Sequence, residues 1–95
     1  MRFLPLGSVV SLTDSPDWIM IYGYLQKDLN TGKVYDYIGC EYPVGIKDTD
    51  QCFLFQDENI RKVAYVGFQD AEVLEYQAAL AEFAEESGLN GRDKG

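Results

Sequence analysis

Through residue 68 the apolar positions of this chain follow the two-residue rhythm of strands, and after residue 70 they recur every three or four residues, as in a helix. The opening stretch FLPLGSVVSL, residues 3–12, predicts a first strand. Pro5 has no backbone donor, so pairing is expected to begin only after Gly7. The TDSPD sequence at 13–17 is a dense turn signal. Residues 18–26, WIMIYGYLQ, are apolar on both alternating sides, which predicts a central strand covered on both faces. Gly23 within it marks a bulge, or a place where a neighbouring aromatic packs on bare backbone.

A hairpin loop is predicted over 27–32, with Gly32 free to turn left-handed, and the return strand runs over 33–40. Pro43 and Gly45 end that strand, and residues 46–50 are a polar connection. A short apolar strand at 51–55, one helical turn at 57–60 capped by Asp57, and a last strand at 62–68 follow. Asp70 then reads as the N-cap of a helix, with Glu72 in its first turn, where the helix dipole favours a carboxylate. Val73, Tyr76, Leu80 and Phe83, widened by Leu74 and Ala84, form the stripe expected to lie on the sheet. Gly88 is the expected stop, with Leu89 making the hydrophobic contact of its ending. The fold class predicted is α+β: an antiparallel sheet of four to five strands, flat or curled, with one C-terminal amphipathic helix packed on it. Residues 3–88 are expected to form the single domain and 89–95 a flexible tail.

Composition agrees with one packed core. Ninety-five residues leave no room for a second, and 46% hydrophobic content is too high for a disordered chain. The charge changes the picture more. Eight basic residues against sixteen acidic ones give −8, a balance that repels phosphate and anionic lipid, so neither nucleic acid nor a membrane surface is an expected partner. That charge serves solubility, or it presents an acidic face to a basic partner. Residues 3–6 are too short for a signal-peptide core, and the longest apolar run, 18–22, is far too short to span a membrane. Cys40 and Cys52 lie among apolar and aromatic residues and are expected as reduced thiols. A cytoplasmic location follows as the expectation.

Candidate chemistry is sparse. The absence of His removes the commonest general base and metal ligand, and with them Ser-His-Asp and Cys-His arrangements. The two cysteines lack CxxC spacing, and Gly32-Lys33 lacks the rest of a phosphate loop. Asp48, Asp50, Asp57 and Glu58 miss the spacing of a calcium loop and read as a solvated acidic loop. No catalytic, metal or cofactor residue is assigned, and the chain is expected not to be an enzyme. Asp36 is unusual within a strand; it either accepts hydrogen bonds internally or contacts a partner. Tyr37 and Tyr42 flank the break at 39–43 and are expected at the surface. Asp36, Tyr37, Tyr42 and Pro43 are therefore the candidate partner-binding residues, with an open sheet edge as the other candidate interface. The chain is expected to be a monomer or a weak homodimer.

Several segments together resemble one bacterial family. LPLGSVV at 4–10, IYGYLQKD at 21–28, YDYIGC at 35–40 with YPVG at 42–45, and FLF at 53–55 before Ile60 are similar, in order, to the domain of unknown function 4176 family. The resemblance extends over residues 3–83, nearly the whole chain. It implies Gram-positive bacteria and gene neighbourhoods encoding LXG-type toxins of type VII secretion. There, members act as small accessory proteins that bind the toxin's N-terminal targeting region as chaperones or targeting factors, beside other small accessory proteins. No catalytic residue is carried over from it. A toxin-neutralising immunity protein is the alternative reading, since such proteins are also small and acidic.

Overall fold

The computed structural model describes residues 3–48 and 51–87. Strands β1 (Val9–Leu12), β2 (Trp18–Lys27), β3 (Val34–Glu41) and β4 (Phe53–Phe55) are followed by a 3-10 turn, Asp57–Asn59. Strand β5 (Ile60–Tyr65) and helix α1 (Ala71–Ser87) complete the chain. The strands make one open antiparallel sheet in the order β4-β3-β2-β1-β5, so the longest strand lies in the middle. This is the α+β architecture that the change of period predicts. The expected tail at 89–95, and the helix stop at Gly88 with Leu89, lie outside the described residues.

Pairing near the amino terminus starts where Pro5 allows. Gly7 adopts φ 90° and donates to the Ile21 carbonyl at 2.8 Å, Ile21 donates to Ser8 at 2.9 Å, and β1 proper begins at Val9. Residues 3–7 instead fold in as a plug, with Phe3 only 2% exposed. A bulge falls between Ile21 and Gly23. A side chain at Gly23 would meet the Ile38 methyl, so the bare backbone accommodates an aliphatic neighbour rather than an aromatic one. Gly32 takes φ 76° in the β2–β3 hairpin, and Asp28 and Lys33 close the loop with a 2.8 Å backbone bond.

Alternation divides the sheet into two unlike faces. On the inner face Val10, Ile19 and Ile21 join Phe3, Tyr37, Phe55 and Ala84 in the core. Aromatic rings dominate this layer. Phe3 meets Tyr24 and Tyr37 edge-on at 5.4 and 5.8 Å, and Tyr37 stacks on Phe55 at 5.4 Å. Such contacts add about 0.5–1.5 kcal/mol each beyond area burial.

Helix α1 begins as the sequence predicts, with Asp70 Oδ1 accepting from Val73 N at 2.9 Å. Its orientation departs from expectation. Gln77 and Ala84 are the buried positions, with Val73, Leu80 and Ala81 half-buried, whereas Tyr76 and Phe83 are 58% and 52% exposed. The Phe3 plug and the Tyr24 and Tyr37 rings already fill the space above the sheet. The helix therefore approaches with its small residues, and Gln77 Nε2 donates to the Phe3 carbonyl at 2.8 Å. A second departure concerns β2. A single helix covers only one face of a sheet, so the strand expected to be covered on both sides exposes Trp18 and Tyr22 on the other.

Candidate functional site

The four residues singled out from sequence separate into two pairs. Asp36 and Tyr37 are fully buried, which corrects the expectation that Tyr37 lies at the surface; Tyr42 and Pro43 are exposed. The reason lies in pairing. Tyr37 stands opposite Tyr24 on one side and Phe55 on the other, so both neighbouring strands hold its ring in the core. Its hydroxyl accepts from Leu4 N at 3.0 Å and donates to Asp57 Oδ1 at 3.2 Å, tying the plug to the 3-10 turn. Burial, with the Asp57 and Asp36 carboxylates nearby, pushes that hydroxyl well above its ordinary value.

Asp36 has a structural task. Its Oδ2 accepts from Asp57 N at 2.8 Å, while its own amide donates to Gln56 Oε1 at 3.0 Å. These bonds fasten the chain leaving β4 against β3. Gln56, rather than Asp57, stands at the cap of the 3-10 turn, where Gln56 N donates to Asn59 Oδ1 at 2.9 Å, while Asp57 Oδ1 accepts from the Tyr37 hydroxyl. The acceptor reading of Asp36 is therefore the one the geometry supports.

Tyr42 belongs to a larger surface. The strand register places Tyr65, Val9, Met20 and Cys40 in one row across the outer face, from β5 to β3. Tyr42, Val9, Met20 and Tyr65 line an open groove of about 500 Å³ there. Tyr65 is 61% exposed, and Trp18 and Tyr22 extend the apolar surface. Such aromatic side chains, apolar with a polar tip, are the residues that anchor protein interfaces. Cys40 is buried beneath this surface and Cys52 is half-buried, and no disulfide joins them. Burial pushes the Cys40 thiol up, which keeps it protonated and unreactive. Burial, then the nearby Cys52, pushes the Tyr22 hydroxyl up as well.

The edges of the sheet are less inviting. Strand β4 is only three residues long, and β5 carries Arg61 and Lys62 and is irregular against β1 in two places. Short, charged and bulged edges are the usual protection against strand addition. Among the described residues no group of three or more Cys, Asp or Glu is gathered to hold a metal ion, and no helix is long and apolar enough to cross a membrane. The outer face as a unit escaped sequence reasoning. Its signal was present in the apolar residues on both sides of β2, but which side would stay uncovered depends on where the helix docks.

The class these features define is a small open-sheet α+β domain with one face under a helix and the other bare and aromatic. Residues 3–76 match the domain of unknown function DUF4176, and the chain belongs to that family. No curated protein and no solved structure matches the chain significantly.

Proposed function

We propose that this chain is a non-catalytic, cytoplasmic protein-binding accessory, serving as targeting factor or chaperone for an LXG-type toxin of type VII secretion. The observation that carries the protein-binding part is the bare outer face, where Tyr42 and Tyr65 border an open groove and Trp18 and Tyr22 lie uncovered. A contiguous apolar surface of this kind marks a protein interaction site. The toxin as partner is what the resemblance described above implies. Its N-terminal region, or another small accessory protein, would occupy this face.

Co-purification of the full chain with an LXG protein encoded beside it tests the reading. A complex at micromolar concentration, weakened by Tyr42→Ser and Tyr65→Ser, is the expected result; no complex under those conditions overturns it. The net charge of −8 favours one second reading, an immunity protein that blocks a basic toxin site. Survival of cells expressing the toxin with this chain separates the two, because an immunity protein protects and an export factor does not.

A further inference from the structure

A second apolar surface lies on the opposite side of the molecule, along α1. Leu6, Tyr24, Phe68, Val73 and Tyr76 line an open groove of about 410 Å³, with Glu72 at its rim. Phe68 is 72% exposed, Tyr76 58% and Leu6 50%, so three large side chains converge in water where the β5–α1 connection meets the helix. Phe83, 52% exposed, continues the line seven residues beyond Tyr76 on the same flank of the helix. Two turns separate these rings, about 10 Å along the axis, which is the repeat at which the ridge of a second helix lies alongside.

The surrounding charge says what kind of helix. Helix α1 carries Glu72, Glu75, Glu82, Glu85 and Glu86 and not one Lys or Arg. Glu72 and Glu75, like Glu82 and Glu86, stand at like-charge helical spacing, and the last turn is acidic where the helix dipole favours cations. The helix thus carries negative charge, with no cation of its own, beside an apolar line. Its backbone is hydrogen-bonded internally and offers nothing to an added strand. We propose that the Leu6–Phe68–Tyr76–Phe83 flank docks a cationic amphipathic helix of a partner protein. This rests on the protein-binding reading above and adds a second surface, independent of the sheet face.

The test uses the full chain, isotopically labelled for amide spectra, and a synthetic amphipathic Lys/Leu helix, beside a scrambled peptide of identical composition. Shifts concentrated at Phe68, Tyr76 and Phe83 are expected. Affinity should fall about tenfold or more with Phe83→Ser, and similarly with the exposed charge reversals Glu75→Lys and Glu82→Lys, which leave the fold intact. Equal binding of the scrambled peptide would reduce the effect to charge and overturn the proposal. Shifts centred on Trp18, Met20 and Tyr65 would overturn it by moving the site to the sheet. Because the probe is a model peptide, failure to capture an LXG protein leaves this result unaffected and counts against the partner's identity alone.

Discussion

The two faces of the sheet are built from the same strands and from similar residue types, yet they do opposite things. Tyr37 on the inner face is wholly enclosed, its ring among Phe3, Tyr24 and Phe55 and both lone functions of its hydroxyl engaged. Tyr65 on the outer face, paired through β1 to the same sheet, keeps most of its surface in water. A tyrosine is therefore no guide to its own role here. Closure by the plug and α1 turns one set of rings into core, and the lack of a second covering layer leaves the other set as a surface for a partner.

The largest effect expected from breaking this contrast is at Tyr37. Tyr37→Ala removes a buried ring and should cost about 3–5 kcal/mol in chemical denaturation. Asp36→Ala should follow at about 1–3 kcal/mol, because the Asp57 amide loses its acceptor. If Asp36 instead served a partner, stability would hold and binding would fall.

Tyr37→Phe sharpens the comparison through pH. The wild-type hydroxyl titrates above the ordinary 10.0, so its contribution to stability is whole below that value. As pH rises past 10.0 the unfolded chain ionises first, and stability is lost. Denaturation curves across this range should decline less steeply for Tyr37→Phe, which also loses about 1–2 kcal/mol near neutral pH. Asp70→Ala removes the cap of α1 and should cost about 1 kcal/mol, seen as a lower Tm. Smallest of all, Tyr42→Ser and Tyr65→Ser should each change stability by no more than about 0.5 kcal/mol while weakening partner capture. Equal destabilisation by Tyr65→Ser and Tyr37→Ala would erase the distinction between the faces.

Much of the fold was legible along the chain. The period change located α1, Asp70 marked its start, Gly32 marked the hairpin and Pro5 delayed the first pairing, because each rests on an interaction within a few residues. The candidate site was legible only in part. Tyr42 lies at the surface as expected, since a proline break brings a chain outward; Tyr37 was misplaced, since its burial depends on Phe3, Tyr24 and Phe55.

By itself, then, the sequence determined the strands, the helix, the single core and the acidic character, all of which follow from local preference and composition. The tertiary structure alone decided which face of β2 stays bare and which flank of α1 shows Tyr76 and Phe83. Both depend on the volume that the folded-in plug occupies, and that volume is set by residues distant in the chain.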